Sequence, residues 1–310
     1  MAAIMRFHHH SSWLAGSVAD LPTPFNQHGE IDAKAFARLC ERQLEAGAPA
    51  LVVAETAGEA STLSLAEQEY LIRTAVEVVH GRAKIIAGAG SNSTSHAIEL
   101  ARLAEAAGAD AVMSVVPYYN KPMQDGIAAH FQAIALSTGL PIVLHDVPSR
   151  TIRELADDTL SRVAERRQFI GLRDGSGDVT RPMRLAGRLR GGFRLMSGDD
   201  ATALAYVAAG GNGSISMVAN VTPDLCRAIH SSLSQGRPQT ARDLQRRLTA
   251  LQACLGKESP AALKYALSLL GLMRPAMRLP LAELDEPSKA AVARALMEVA
   301  DEDLLGAAEA

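Results

Sequence analysis

The chain has few of the features that mark several protein classes. Aromatic residues make up 4% of its 310 residues, and the formal net charge is −3 with both signs interspersed. A chain without a basic excess has no electrostatic surface suited to nucleic acid or an anionic membrane. Its longest apolar runs, such as PALVVA and AVMSVVP, are too short to cross a bilayer. We therefore expect neither a nucleic-acid partner nor a membrane partner.

Cysteines are also scarce. Cys40, Cys226 and Cys254 are widely spaced, which matches neither a disulfide framework nor a zinc site and fits reduced thiols in a cytoplasmic protein. The N-terminal segment MAAIMRFHHHSSWLAGS has no basic region followed by an apolar stretch, so it predicts no signal peptide. We interpret residues 1–15, with their three histidines, as a flexible leader rather than a metal site.

The chain is rich in short apolar runs with many β-branched residues. Most of them are continuous rather than alternating, which is typical of parallel strands covered on both faces. Amphipathic segments lie between them, for example IDAKAFARLCERQLEAG, which ends at the natural helix stop Gly47. The predicted strands lie near Ser17–Leu21, Ala50–Ala54, Lys84–Ala87, Ala111–Val115, Pro141–Leu144, Phe169–Leu172, Arg194–Ser197 and Gly213–Ser216.

This alternation of strands and helices predicts a (β/α)8 TIM barrel. A doubly wound open sheet is the alternative, but no early strand leads into a dinucleotide glycine fingerprint. The glycine-rich GAGSNS at 88–93 is explained by a tight strand-to-helix turn. We expect residues 16–222 to form the barrel and residues 223–310 to form C-terminal helices packed on it, as one structural unit.

In such a barrel the active site forms where the carboxyl ends of the strands meet. Each polar residue at those ends has a structural explanation when taken singly, such as helix capping or packing with a satisfied hydroxyl. Together they line one rim, which favours a functional interpretation. The rim residues are Thr56, Gly58, Glu59, Tyr118, Tyr119, Asn120, His145, Asp146, Ser149, Arg150, Arg173, Asp174, Gly198, Asp199, Asp200 and 212–216.

Several of these segments carry a resemblance to a known family. They are ETAGEASTLS (55–64), VVPYYNKPMQDGIAAHF (115–131), VPSRT (147–151), FIGLRDGSGD (169–178), MSGDDATAL (196–204) and GGNGSISMVANV (210–221). In this combination and order the chain resembles the dihydrodipicolinate synthase/N-acetylneuraminate lyase family. The resemblance implies a (β/α)8 barrel with a C-terminal helical extension, usually assembled as a tetramer built from two dimers. It also implies an aldolase-type enzyme that attaches pyruvate to a lysine as a Schiff base.

The resemblance assigns roles to individual residues. The turn that binds the pyruvate carboxylate falls on 55–59, where Thr56 keeps one hydroxyl and Ala57 lacks the other. Tyr119 would reach into the site of a neighbouring subunit. Arg150 would hold a second carboxylate, a task that suits the fork of a guanidinium. The substrate-binding set predicted in this way is Thr56, Ala57, Arg150, Gly198 and Ile215.

Two positions depart from the family pattern. His145 stands where the family has a tyrosine that acts as general acid and base, and Arg173 stands where it has the Schiff-base lysine. The pKa of an arginine is above about 12 and its lone pair is delocalised, so Arg173 cannot form a Schiff base. Among the lysines only Lys121 is expected near the correct rim, and there outside the pocket. The others are Lys34, Lys84, Lys257, Lys264 and Lys289.

Two hypotheses about function follow. In the first, the chain is a lyase- or aldolase-type enzyme that acts on pyruvate or a related 2-oxo acid without a Schiff base. Its catalytic residues would be Thr56, Tyr119, His145 and Arg173, with His145 as acid or base and Arg173 stabilising an enolate. In the second, the chain is a non-catalytic sensor or scaffold that binds a small carboxylate.

For either function we expect a homo-oligomer, a dimer or a tetramer, and no cofactor. Metal-assisted aldol chemistry with His145, Asp146 and Asp174 as ligands is a further option, but it is disfavoured because the neighbouring residues His145 and Asp146 point to opposite faces of the strand.

Overall fold

The computed structural model describes residues 11–257 and 260–308. Eight parallel strands follow one another around a closed barrel, and the first pairs with the last. The predicted (β/α)8 barrel is therefore confirmed. The strands are β1 Gly16–Asp20, β2 Ala50–Val53, β3 Lys84–Gly88, β4 Ala111–Val115, β5 Ile142–Asp146, β6 Phe169–Asp174, β7 Arg194–Ser197 and β8 Gly213–Ser216.

Helices connect the strands and continue beyond the last one. Over the described ranges the α-helices are α1 Ala33–Glu45, α2 Leu65–Val79, α3 Thr94–Ala106, α4 Gln124–Ala135, α5 Pro148–Thr151, α6 Asp157–Ala164, α7 Arg181–Leu185, α8 Ala203–Ala208, α9 Pro223–Ser234, α10 Pro238–Arg247, α11 Thr249–Lys257, α12 Ala261–Leu269 and α13 Glu286–Ala308. Short 3-10 turns cover Ala60–Thr62 and Val218–Asn220. Within residues 11–257 and 260–308, no helix combines the length and the apolar composition that crossing a bilayer requires.

Local sequence sets where these helices begin. The Ser64 side chain accepts a hydrogen bond from the Glu67 backbone at the start of α2, and the Glu67 carboxylate accepts one from the Ser64 backbone in return. This reciprocal pair satisfies two of the backbone N–H groups that every helix start leaves without an internal partner. At α1 a single bond caps the helix start, with the Asp32 side chain accepting from the Ala35 backbone.

Two apolar layers hold the barrel together. One lies between the strands and the surrounding helices. The other fills the barrel interior, where side chains from successive strands stack. The interior layer consists of Leu14, Val18, Ala50, Val52, Ile86, Ala111, Met113, Val143, Ile170, Met196 and Ile215.

The segment just before β1 differs from the prediction of a leader over residues 1–15. Leu14 is fully buried in the interior layer, and Ser11 is buried with its backbone bonded to the Arg194 side chain at 3.2 Å. Residues 11–15 therefore close the N-terminal end of the barrel and shield its interior apolar residues from water. Residues 1–10, including the three histidines, lie outside the described residues.

Strands β5 and β6 are longer than their apolar runs predict. β5 includes His145 and Asp146, and β6 includes Arg173 and Asp174. These polar residues continue the strand because each finds a partner on the face to which it points. The register shifts between Ile142 and Val143, where β6 contributes an extra residue, and it then pairs His145 with Arg173. This pairing places both side chains side by side in the barrel interior.

The C-terminal helices pack against the barrel near its carboxyl end. The Gln245 and Gln252 side chains both donate to the backbone carbonyl of Asp200, at 3.4 and 3.1 Å. On another side, the Arg278 guanidinium of the α12–α13 connection bonds the Gly29 carbonyl and ion-pairs with Glu67. These contacts let α11 form part of the wall above the strand ends.

Candidate active site

The turn after β2 is held in one conformation by its neighbours. Ala54 has a left-handed φ of 53°, which ends the strand and redirects the chain. A Cβ at Gly88 of the adjacent β3 would lie 1.9 Å from the Ala54 carbonyl oxygen. The turn can therefore approach β3 this closely only because residue 88 is glycine. The Thr23 hydroxyl donates to the Gly58 carbonyl at 2.7 Å and fixes the far side of the turn.

Arg173 points into the barrel and is 2% exposed. Its Nη1 donates to Oδ2 of Asp20 at 2.8 Å and to Oε2 of Glu55 at 3.0 Å. Gly198 makes room for this side chain, since a Cβ there would lie 3.0 Å from Cγ of Arg173. Nη2 has no hydrogen-bond partner among the described residues. The guanidinium is thus held by two carboxylates through one of its nitrogens.

Glu55 also contacts the histidine. Its Oε1 lies 2.9 Å from Nδ1 of His145, and both side chains are buried. The guanidinium of Arg173 and the ring of His145 hold the pKa of Glu55 below its ordinary value against the opposing effect of burial. An ionised carboxylate only accepts hydrogen bonds, so we assign the hydrogen to Nδ1 of His145.

Burial determines the protonation state of the histidine. It lowers the pKa of His145, and the nearby charges of Arg173 and Arg150 act in the same direction, while Glu55 raises it. The imidazole is therefore neutral at pH 7. With the hydrogen on Nδ1, Nε2 carries a lone pair, which is the form a general base requires.

Asp20 is the second partner of Arg173. It ends β1, faces the interior and is fully buried. Burial raises the pKa of Asp20 to about 6, because the attraction of Arg173 does not fully offset desolvation and the charge of Glu55. Its Oδ1 has no hydrogen-bond partner within the described residues. Four side chains therefore form a continuous chain of contacts, His145–Glu55–Arg173–Asp20.

A cavity of about 410 Å³ opens above this group. It brings together five of the predicted site residues: Thr56, His145, Arg150, Arg173 and Gly198. Polar side chains that also line it are Ser149, Ser176, Asp199, Asp200 and Gln252. A larger cavity of about 700 Å³ lies at the opposite end of the barrel, near Gly16, Pro49 and Asn212. We place the site in the smaller cavity because the buried charged groups converge there.

Three predicted site residues do not line this cavity. Ala57 and Ile215 are fully buried, with Ile215 in the apolar interior layer. Tyr119 is 87% exposed and has a left-handed φ of 69°. Its proposed contact with a neighbouring subunit stays a prediction.

The residues next to His145 and Arg173 face outward, as strand alternation requires. Arg181 Nη1 donates to Asp146 at 2.8 Å and to Asp174 at 3.2 Å, and the Tyr206 hydroxyl donates to Asp174 at 3.1 Å. Asp146 is thus turned away from His145 toward the helices, and the two do not form a common metal site. This outer ion-pair group supports the two strands that carry the inner one.

Lys264 was expected far from the site, and the structure places it directly behind the β2 turn. Its fully buried Nζ pairs with the Glu59 carboxylate, donates to the Ala276 carbonyl at 3.0 Å and lies 4.1 Å from the centre of the Phe25 ring. Burial lowers its pKa to about 8. These contacts occupy the amine, and Lys264 does not line the cavity.

The sequence reasoning missed Asp20 and the partner role of Glu55. Asp20 had a visible signal, because it is a single acid at the end of an apolar strand with an interior-facing position. The contribution of Gln252 to the cavity wall had none, since it depends on how α11 packs on the barrel.

The model of the dihydrodipicolinate synthetase family matches residues 13–299. The chain belongs to this family. The 4-hydroxy-tetrahydrodipicolinate synthase of Hyphomonas neptunium is 46% identical to it over 285 residues, which are 91% of this chain and 97% of that protein. The resemblance inferred from the motifs is therefore confirmed over nearly the whole chain.

Solved structures agree with membership of the dihydrodipicolinate synthetase family. The 4-hydroxy-tetrahydrodipicolinate synthase of Methylacidiphilum fumariolicum SolV has a TM-score of 0.90 and 38% identity, covering 93% of this chain and 96% of that one. The chloride-inhibited dihydrodipicolinate synthase of Acinetobacter baumannii, solved in complex with pyruvate, has a TM-score of 0.89 and 38% identity. It covers 92% of this chain and 99% of that one.

Proposed function

We propose that the chain is a lyase- or aldolase-type enzyme that acts on pyruvate or a related 2-oxo acid without forming a Schiff base. One observation carries the proposal. On β6 a guanidinium takes the position that the family resemblance assigns to the lysine, and Glu55, which holds this guanidinium, also orients a neutral histidine. Residue 173 therefore offers no amine for a Schiff base, while a base, His145, and a hydrogen-bond donor, Arg173, lie side by side.

His145 is the group that moves the proton. Nε2 removes a proton from C3 of the 2-oxo acid, and the electrons of the C–H bond move to form an enolate with the negative charge on the C2 oxygen. Glu55 stabilises the imidazolium that forms, because its carboxylate accepts the Nδ1 hydrogen bond at 2.9 Å. The enolate carbon then attacks a carbonyl carbon, whose π electrons move to its oxygen, and the His145 imidazolium returns its proton from Nε2 to that oxygen. In the reverse direction neutral His145 removes the hydroxyl proton, the C–C bond breaks to give the carbonyl and the enolate, and the imidazolium protonates C3.

Arg173 and Arg150 take the binding roles. Arg173 lines the cavity, and Nη2 is available to donate to the C2 oxygen as charge develops there. Arg150 lines the same cavity and supplies a guanidinium for the substrate carboxylate. His145 supplies the base and the acid, and Arg173 supplies the donor that stabilises the enolate, so the proposal needs no cofactor. We propose further that the enzyme is cytoplasmic and forms a homo-oligomer, as the sequence predicts.

A non-catalytic carboxylate-binding protein is the second candidate. It is favoured by the ion pairs that already hold Arg173 and by the loss of a hydroxyl at Ala57, which is buried without lining the cavity. The two candidates make the same prediction for binding and opposite predictions for proton transfer.

Exchange of the C3 hydrogens tests the proposal without knowledge of the second substrate. Pyruvate and oxaloacetate are first titrated by calorimetry, and loss of the pyruvate methyl signal in D2O is then followed by NMR. We expect binding, exchange above the uncatalysed rate, and a loss of about 100- to 10,000-fold in exchange for His145→Gln. The exposed His28→Gln serves as the matched control and should exchange like the unaltered chain. Binding without exchange supports the non-catalytic candidate, and no binding contradicts both.

A further inference from the structure

Directly beneath the cavity, N–H donors converge on carboxylates of the chain itself. The Thr56 backbone donates to Oε2 of Glu55 at 2.5 Å, and the Ala57 backbone donates to Oδ2 of Asp20 at 3.4 Å. Nη1 of Arg173 donates to these same two oxygens. Two successive backbone amides and a guanidinium are donors that proteins use to bind small anions. In this chain the anions are side chains.

We propose that Asp20 and Glu55 determine substrate specificity because their own carboxylates occupy an anion subsite. No substrate carboxylate can then bind at the β2 turn. The inference rests on the proposed function and deepens it. A 2-oxo acid is accepted with its carboxylate toward Arg150, on the outer part of the cavity, and its carbonyl toward Arg173. Substrates that need a carboxylate site at Thr56 and Ala57 are rejected.

Burial makes this exclusion strong. Asp20 is fully buried, Arg173 is 2% exposed and Glu55 is 8% exposed, so two carboxylates beneath the cavity repel an anion at its inner end with little water to screen them. Burial and the charge of Glu55 raise the pKa of Asp20 to about 6, so the two carboxylates already repel each other. A third carboxylate would add to this repulsion.

The same two acids also control what residue 173 can do chemically. An amine placed there would lie between two carboxylates, and opposite charges at this distance raise an amine pKa by about 1–3 units. Restoring a lysine alone therefore gives a protonated amine next to a filled anion subsite. A purely structural ion pair predicts instead that the lysine alone is sufficient.

Borohydride trapping separates these possibilities. In the trapping reaction the neutral amine attacks C2 of pyruvate, water leaves as the C=N bond forms, and hydride from borohydride reduces that bond to a stable secondary amine. We compare Arg173→Lys with the triple variant D20A/E55G/R173K, measuring the mass increase and locating it by peptide mapping. We expect the triple variant to form the adduct about 10- to 1,000-fold faster than Arg173→Lys, in proportion to the gain in neutral amine.

Equal trapping of pyruvate by Arg173→Lys and the triple variant would overturn the inference, as would no trapping by a folded triple variant. If circular dichroism shows that the triple variant is unfolded, the double variants D20A/R173K and E55G/R173K decide the question. Each removes one of the two acids and should trap pyruvate at an intermediate rate. These results are independent of the exchange assay on the unaltered chain, so a failure of the proposed function and a failure of this inference are distinguishable.

Discussion

Nδ1 of His145 lies 2.9 Å from Oε1 of Glu55, and the contact joins β5 to the turn after β2, 90 residues earlier in the sequence. The other oxygen of Glu55 lies 3.0 Å from Nη1 of Arg173. One buried acid therefore sets both the tautomer of the histidine and the position of the guanidinium. Most of what we propose about this site depends on that double contact.

The pH dependence of C3 exchange should report the protonation of His145. Its neutral form is the base, so the rate falls as pH decreases through its pKa. Burial places this pKa below the ordinary value of 6.5, and the acid limb should lie below that pH. Glu55→Gln removes a charge that raises the pKa of His145, so the limb should move to still lower pH. An acid limb above pH 6.5, or no movement in Glu55→Gln, would contradict the assignment.

The stability of the fold should depend on Arg173. Replacement of Arg173 by methionine leaves Asp20 and Glu55 buried without their cation, which we expect to lower the free energy of unfolding by about 3–5 kcal/mol. Adding Asp20→Asn should recover part of this loss, because one stranded carboxylate becomes neutral. Urea denaturation measures both. The exposed Arg167→Met is the control, and an equally small effect at both positions would show that the ion pairs contribute little.

The residues before β1 should contribute to the core. Leu14 is fully buried in the interior layer, so Leu14→Ala should lower the free energy of unfolding by about 2–5 kcal/mol. Leu136→Ala removes the same atoms from a side chain that is 75% exposed, and should change stability by less than about 0.5 kcal/mol. Similar values for both variants in urea denaturation would mean that residues 11–15 do not close the barrel.

Tyr119 should contribute to self-association. Its side chain is 87% exposed on a backbone turn with a left-handed φ, a position from which it would contact a second copy of the chain. Tyr119→Ala should shift the sedimentation velocity profile toward smaller species. Met297→Ala, exposed on α13, should leave the profile unchanged. Unaltered sedimentation of the tyrosine variant would remove the support for an intersubunit role.

Much of the fold and part of the site could be predicted from the sequence. Continuous apolar runs identified all eight strands, because a strand covered on both faces must be apolar throughout. The ends of β5 and β6 were placed too early, since His145 and Arg173 interrupt the apolar pattern while their partners keep them in the strand. Thr56, His145, Arg150, Arg173 and Gly198 line one cavity because strand ends meet at one rim, and their roles in binding and catalysis stay predictions.

What the sequence did not show is how the charges at this rim pair with one another. Asp20 is 153 residues away from Arg173, and only closure of the barrel brings β1 close to β6. Lys264 was expected far from the site for the same reason, since its place behind the β2 turn depends on how α12 packs. Burial and pairing of charges are properties of the folded chain, so the pKa shifts that define the chemistry could not be read from residue types.

Borohydride reduction of the unaltered chain in the presence of pyruvate tests the central claim most directly, with adducts located by peptide mapping. A family member that carries the Schiff-base lysine serves as the positive control for the reagent. We predict no adduct on any lysine, because residue 173 is a guanidinium and the buried amine of Lys264 is occupied by Glu59. A pyruvate adduct on Lys264, Lys121 or any other lysine of the unaltered chain would contradict the account.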